Sequence, residues 1–173
     1  MRRICAAFDI PVLIRYVAYI DFTRKGFNES LGGSSIDTDI RFRSVCELIT
    51  YIPRALLIGL FAPFPDIWFS ESASPGGGLM RTISALEMMV SYILFLGVCL
   101  GSVVCKRNKA IFFVMLIVAL VMILINSLVV TNIGSLYRLR YISWQVINGL
   151  GIIGWYLFIK RTNLLTAIIC QKR

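Results

Sequence analysis

The residues of this sequence that could do chemistry are arginines and carboxylates, because the chain contains no histidine. A histidine general base and a histidine metal ligand are therefore both excluded. An arginine guanidinium binds phosphate oxygens through two parallel hydrogen bonds, so arginines near a membrane surface are suited to holding a phosphate or diphosphate. Residues of this kind are Arg54, Arg81, Arg138 and Arg140, with Glu87 as a carboxylate within reach of Arg81 or Arg138. These residues predict phosphate binding and identify no catalytic group.

Arg138 and Arg140 lie in a basic connection, Thr131–Tyr141 (TNIGSLYRLRY), between two long hydrophobic runs. On a helix their side chains would point to different sides, so both can hold one anion only from a turn or an extended segment. An asparagine, a glycine and a serine in this connection favour a turn. The alternative is that both arginines bind lipid phosphate and fix the depth of the following helix.

Asp37 and Asp39 form a DxD pair within the polar segment at 21–45. In some glycosyltransferases such a pair coordinates a metal bound to a sugar diphosphate, which requires the loop to fold both carboxylates onto one cation. The alternative, which we favour, is a solvated loop whose aspartates cap the following helix. We expect no cofactor, and this pair is the one candidate for a metal.

Two glycine patterns indicate close helix packing. Gly97 and Gly101 form a GxxxG pattern, which lets a second helix approach closely. The run at 149–154 matches the GxGxxG of dinucleotide-binding proteins, but no strand precedes it. We therefore expect Gly151 and Gly154 to serve helix packing as well.

Composition places the chain in a membrane. Of its 173 residues, 58% are hydrophobic and 16% are charged, which is too apolar for a soluble domain. The 18 Lys and Arg against 9 Asp and Glu flank hydrophobic runs, so we expect anionic lipid headgroups as partners and no nucleic acid. The 5 cysteines show no metal-ligand spacing and are expected to be small buried side chains without a disulfide framework.

Three hydrophobic runs predict transmembrane helices, each about 20 residues long and able to cross a ~30 Å hydrocarbon core. They lie at 86–105, 110–130 and 141–159. Basic clusters at 106–109 and in the tail at 160–173 are cytoplasmic by the positive-inside rule, which places the C-terminus in the cytoplasm. The loop at 63–85 and the connection at 131–140 then face the other side.

Each of two further segments allows two relations to the membrane. The segment at 46–62 carries Pro53 and Arg54, so it is either a kinked span or a re-entrant element. Arg54 is there either a functional residue or a side chain that reaches one interface. The segment at 1–20 predicts an amphipathic or weakly spanning helix. The expected fold is all-α, a single polytopic membrane domain covering 1–173.

Three stretches read YIPRALLIGLFAPFPDIWF, SALEMMVSYILFLG and NIGSLYRLRYISW. Together they resemble the C-terminal membrane part of bacterial polytopic proteins that occur with exopolysaccharide and O-antigen genes. Those proteins are similar in plan to O-antigen polymerases and GT-C glycosyltransferases, which handle undecaprenyl-diphosphate-linked sugars. The resemblance covers roughly Ser34 to Arg161. It implies a bacterial inner membrane location, with outer arginines (Arg54, Arg81, Arg138 and Arg140) holding the lipid diphosphate.

Two functional hypotheses follow. The first is a membrane protein of cell-envelope polysaccharide assembly, or a fragment of a larger one, that contacts a polyprenyl-diphosphate-linked sugar. The resembling enzymes have many more helices than this chain, which cannot alone enclose such a substrate. The second hypothesis is therefore a non-enzymatic accessory subunit that works beside other membrane chains.

Overall fold

The computed structural model describes residues 11–29, 35–65, 68, 77–105 and 109–171, with side chains throughout except at 77, 78, 80, 81 and 164–171. Within these ranges the secondary structure is helical and no strand forms. The helices are α1 (Pro11–Glu29), α2 (Val45–Phe61), α3 (Gly77–Val104), α4 (Lys109–Val129) and α5 (Ile133–Gln171). The protein is all-α, as the sequence predicts. The predicted helix at 1–20 is described from residue 11 onward, and the basic residues at 106–108 lie outside the described part.

Three of these helices are long and apolar enough to cross a membrane, and the chain is a membrane protein. The candidate spans are Thr82–Val104 in α3, Lys109–Val129 in α4 and Ile133–Asn163 in α5. They coincide with the three runs that the sequence predicts. The last helix begins at Ile133 and not at 141. Residues 133–140, which the sequence predicts as part of a polar connection, therefore form the first two turns of this helix.

The chain divides into two compact units, which are described separately. Unit 1 contains Met1–Ile67 and Met122–Arg140, and unit 2 contains Trp68–Val121 and Tyr141–Arg173. Unit 1 thus combines α1 and α2 with the end of α4 and the beginning of α5. Nothing in the sequence pattern predicts this division.

Unit 1 packs around the connection between α4 and α5. One buried cluster joins α1 and α2 to the end of α4 through Val17, Tyr51, Ala55 and Leu128. A second cluster joins the end of α2 to this connection through Ile58, Ala62, Val130 and Leu136. The loop before α2 pairs with the same connection, because the Ile36 N–H donates to the Thr131 carbonyl at 2.8 Å.

Helix α2 begins after the N-cap residue Ser44. The Ser44 hydroxyl accepts a hydrogen bond from the Glu47 N–H at 3.2 Å, and the Glu47 carboxylate accepts one from the Arg43 N–H, before the cap, at 2.7 Å. The expectation that Asp37 or Asp39 caps this helix is therefore wrong. Pro53 lies inside α2, which continues to Phe61 and at 17 residues is not among the three candidate spans.

Unit 2 is held by close packing of α3 against α5. An added Cβ at Gly97 would meet the Gly151 carbonyl oxygen, and one at Gly154 would meet the Gly97 carbonyl oxygen. An added Cβ at Gly101 would come within 2.8 Å of the Gly154 Cα atom. All four glycines lie at this one crossing, where only a residue without a side chain leaves room for the neighbouring backbone.

Hydrogen bonds accompany this packing at two levels of the crossing. The Trp155 indole N–H donates to the Ile93 carbonyl at 2.9 Å. The Asn148 amide donates to the Ser91 hydroxyl at 3.3 Å, and both of these side chains are buried. Both hydrogen bonds join α3 to α5 within unit 2.

The expectation of small buried cysteines is wrong for the described ones. Cys46, in the first turn of α2, is disulfide-bonded and only partly buried. Cys99 and Cys105 in unit 2 are free thiols, of which Cys99 is exposed and Cys105 is partly buried.

Candidate functional site

Asp37 is the centre of a polar cluster in unit 1. Its two carboxylate oxygens accept hydrogen bonds from the Arg54 Nε and Nη2 atoms at 2.6 and 2.7 Å, a bidentate ion pair. The Tyr51 hydroxyl donates to the same carboxylate at 2.9 Å. The residue adopts a left-handed backbone conformation (φ 54°), which aspartate tolerates better than most residues.

This arrangement shows whether Asp37 and Asp39 can bind one metal ion together. Arg54 already engages both Asp37 oxygens, so they are not left to share a cation with Asp39, whose side chain is exposed. In the described ranges no group of three histidine, cysteine or acidic side chains lies close enough to hold a metal. Asp37 therefore forms an ion pair with Arg54, while Asp39 faces solvent.

The charge state of Asp37 follows from its partners. The hydrogen bonds from Arg54 hold the pKa of the Asp37 carboxyl below its ordinary value, against the opposing effect of burial. The Tyr51 hydroxyl lowers this pKa further, and the charge of Arg24 acts in the same direction. Asp37 is therefore a stable anion at neutral pH, with no poised proton for acid or base chemistry.

Arg24 is a buried cation that the sequence interpretation missed. Only 1% of this residue is exposed. Its guanidinium donates to the Leu128 carbonyl at 3.1 Å, the Asp37 carbonyl at 2.9 Å and the Tyr51 hydroxyl at 3.2 Å. It also lies over the rings of Phe42 and Tyr51, at 5.4 and 5.1 Å from their centroids. Arg24 thus connects α1 to α2 and to the end of α4.

The spacing of α1 contains a signal for Arg24. Val17 and Arg24 are seven residues apart, which is about two turns of a helix, so they lie on one face. They are the buried residues of α1. An arginine on the same helix face as a buried valine indicates a cation with a structural role. No sequence pattern identifies the groups to which it bonds.

Arg140 is the second buried arginine of unit 1. Also 1% exposed, it donates hydrogen bonds to the carbonyl oxygens of Ile58, Gly59 and Ala62. These carbonyls lie at the C-terminal end of α2, where the helix dipole is negative and the last backbone acceptors lack intrahelical partners. The Ile58 carbonyl also accepts from the Ala62 N–H at 3.0 Å. Arg140 therefore caps α2, and its guanidinium is directed at protein groups and not at an outer anion.

Arg138 has a different environment from Arg140. Both lie on α5, and Arg138 is exposed while Arg140 is buried. The turn that would let them hold one anion ends at Asn132, whose side-chain oxygen accepts from the Gly134 and Ser135 N–H groups at 2.9 and 3.3 Å. The two arginines are not brought together.

The remaining predicted residues lie in unit 2. Glu87 is a half-buried residue of α3. The side chain of Arg81 lies outside the described residues, and so does its predicted proximity to Glu87. Of the arginines proposed for phosphate binding, Arg54 bonds to Asp37 and Arg140 bonds to backbone carbonyls of α2. Arg138 is exposed and takes part in neither of these two groups of hydrogen bonds.

Comparisons with known proteins give no match to this chain: no family model, no curated protein and no solved structure matches it.

Proposed function

We propose that this chain is a non-enzymatic subunit of a larger membrane complex. The observation that carries the proposal is an outward-facing polar position on α5. Gln145 is exposed on this helix, and at Gly149, one turn later, an added Cβ would meet no atom within 4 Å apart from the adjacent backbone of its own helix. Gly149 is therefore open to a neighbour, whereas the four glycines of the α3–α5 crossing are filled from within the chain.

The depth of Gln145 makes this position informative. It lies 12 residues after Ile133 in the span Ile133–Asn163, which corresponds to about 18 Å along the helix. An amide at such a depth gains about 1–2 kcal/mol from a hydrogen bond to another helix in model peptides. A small residue one turn away lets that second helix come close.

The exposed faces of the three candidate spans are also compatible with a subunit role, but they are a less specific argument for it. In the most apolar 18 residues of the three candidate spans, only 28%, 28% and 33% are buried within the chain. Lipid alone satisfies an apolar helix face, so this surface does not require a protein partner. The combination of Gln145 and Gly149 distinguishes one face of α5 from a purely lipid-facing one.

Site-specific photo-cross-linking in native membranes tests the proposal. A photoreactive residue at Gln145 should give an adduct with another membrane chain, and the bulky change Gly149→Leu in the same protein should abolish it. The control position is Val118 on α4, which is 54% exposed and outside the proposed face. Equal adducts at both positions, or a monodisperse monomer after extraction in mild detergent, would count against a specific partner.

Contact with a polyprenyl-diphosphate-linked sugar in bacterial envelope polysaccharide assembly is the second candidate. It is favoured by Arg138, which is exposed in the second turn of α5. Lipid phosphate is the competing ligand for this side chain. The proposal includes a bacterial inner membrane location with a cytoplasmic C-terminus, for which a C-terminal topology reporter is the direct assay.

Substitution of Arg138 tests this second candidate. Arg138→Ala should reduce polymer formation in the source organism while the membrane level of the protein stays normal. Arg161→Ala removes an exposed arginine near the other end of the span Ile133–Asn163 and serves as the control. Normal polymer with Arg138→Ala would exclude the role. Arg140 is unsuitable for this test, because its removal uncaps α2.

A further inference from the structure

We infer that a groove on α1 of unit 1 binds one anionic phospholipid, with its phosphate between Lys25 and Arg43. The groove has a volume of about 390 Å³ and runs along α1 beside the segment at 42–43. Its apolar lining includes Ile14, Ala18 and Phe22, and its charged lining includes Lys25 and Arg43. It is distinct from the Asp37 cluster and from Arg138.

The charges of the groove favour an anion. Asp21 is its one acidic lining residue, against the two cations. The Asp21 carboxylate accepts from the Phe42 N–H at 3.0 Å and lies 3.5 Å from the Lys25 ammonium. Half of the Lys25 side chain remains exposed. Among the described residues the Arg43 side chain, which is exposed, belongs to neither ion pair. One positive charge in excess is thus available to a ligand.

The apolar lining favours a lipid over a free phosphate. Phe22 is 74% exposed and Ile14 is 43% exposed, so the apolar lining continues onto an uncovered surface of α1. Tyr16 and Tyr19 are exposed on the same helix. Exposed aromatic and aliphatic side chains beside basic residues are typical of a helix that lies in the headgroup region. An acyl chain can cover Phe22 and Ile14 while the phosphate stays on the cations, and inorganic phosphate cannot.

Lipid selectivity of the full chain tests this inference. The protein is placed in nanodiscs of phosphatidylcholine and phosphatidylglycerol in equal parts, and the lipids retained after release are measured by native mass spectrometry. The double variant Lys25→Gln/Arg43→Gln should lose selectivity for phosphatidylglycerol by about tenfold or more, because it removes the charge-assisted hydrogen bonds that both cations make to the phosphate. Phe22→Ser should lower retention of both lipids, because it shortens the apolar lining.

Arg15→Gln is the matched control, since it removes an exposed cation from the same helix without changing a lining residue. Selectivity should stay unchanged in this variant. An equal loss with Arg15→Gln would show only general attraction to an anionic surface and would overturn the site. Displacement of the lipid by inorganic phosphate would assign the cations to a free anion and would also overturn it. The test is independent of the proposed subunit role, which depends on Gln145 in unit 2.

Discussion

Arg24 illustrates what a buried guanidinium needs at the level of a single residue. A charged group taken from water costs several kcal/mol unless hydrogen bonds replace its hydration. Two backbone carbonyls, one hydroxyl and two aromatic rings provide that replacement around Arg24. The buried Leu128 carbonyl in turn loses this hydrogen bond when Arg24 is removed, whereas the Asp37 carbonyl still accepts from the Ile40 N–H at 3.3 Å.

We therefore predict that Arg24→Met destabilises the protein by about 3 kcal/mol, as does the loss of one partner from other buried charge networks. Methionine keeps the length of the side chain but donates no hydrogen bond. The midpoint of thermal unfolding in detergent measures the effect. Arg15→Met, an exposed position on the same helix, should leave the midpoint nearly unchanged. Equal midpoints for the two variants would show that the network contributes little.

Asp37 makes the stability of the folded protein depend on pH. Its pKa in the folded protein is lowered from the ordinary value of 3.8, so the folded state binds the proton more weakly than the unfolded state. The stability contributed by the carboxylate is therefore fully present above pH 3.8 and is lost as the pH falls from there through the lowered pKa. Acid should weaken unit 1 in this window.

Asp37→Asn should remove that part of the pH dependence and lower the stability at neutral pH. Asparagine adopts the left-handed backbone as readily as aspartate, so the change acts on the charge. Unfolding midpoints measured from neutral to acidic pH compare this variant with Asp39→Asn, which changes an exposed carboxylate in the same loop. If both variants follow the unmodified protein at low pH, the Asp37–Arg54 pair does not contribute to acid sensitivity.

At the scale of helices, the α3–α5 crossing depends on backbone-to-backbone contact. We predict that Gly154→Ala destabilises unit 2 by about 1–3 kcal/mol, the cost of overpacking, because its methyl group would meet the Gly97 carbonyl. Gly149→Ala is the control on the same helix, where the added methyl group meets open space. Its effect should be neutral or slightly stabilising, since alanine favours a helix over glycine. Thermal unfolding of the two variants in the same detergent separates packing from helix propensity.

The helices themselves were largely predictable, for a physical reason. A run of about 20 apolar residues is required by the thickness of the hydrocarbon core, so length and composition alone predict the three spans. The start of α5 was not predictable in this way. Its first turns are polar and basic, and they are helical because Asn132 caps them and Arg140 bonds to α2. Apolar composition therefore predicts the part of a helix that lies in the hydrocarbon core. It does not predict helical residues that extend out of that core.

The candidate site was less predictable than the helices, as its arginines show. The sequence marks Arg54 and Arg140 as residues with unusual positions, but not as partners of Asp37 and of the end of α2. Those pairings join positions 17 and 81 residues apart in the sequence. Arg24 bonds to a carbonyl 104 residues away. Contacts at such separations depend on tertiary packing, which local patterns do not encode.

At the scale of the whole molecule, Cys46 provides a test of topology. Disulfides persist in oxidising compartments and are rare in the cytosol. We therefore predict that the beginning of α2 faces the non-cytoplasmic side. Maleimide labelling of the denatured chain, followed by peptide mass spectrometry, should modify Cys46 only after reduction, whereas Cys99 and Cys105 react without it. Labelling of Cys46 without a reductant would contradict this assignment.

The long separation between Arg24 and Leu128 also bears on biosynthesis. A ribosome releases the first helix well before it has made the end of α4, so for that interval the guanidinium of Arg24 lacks its carbonyl acceptor on Leu128. Water or lipid headgroups must solvate it during that time, because a bare cation is not stable in hydrocarbon. Helix α1 is therefore expected to wait at the membrane surface during translation, and unit 1 closes only when the hairpin between α4 and α5 has emerged.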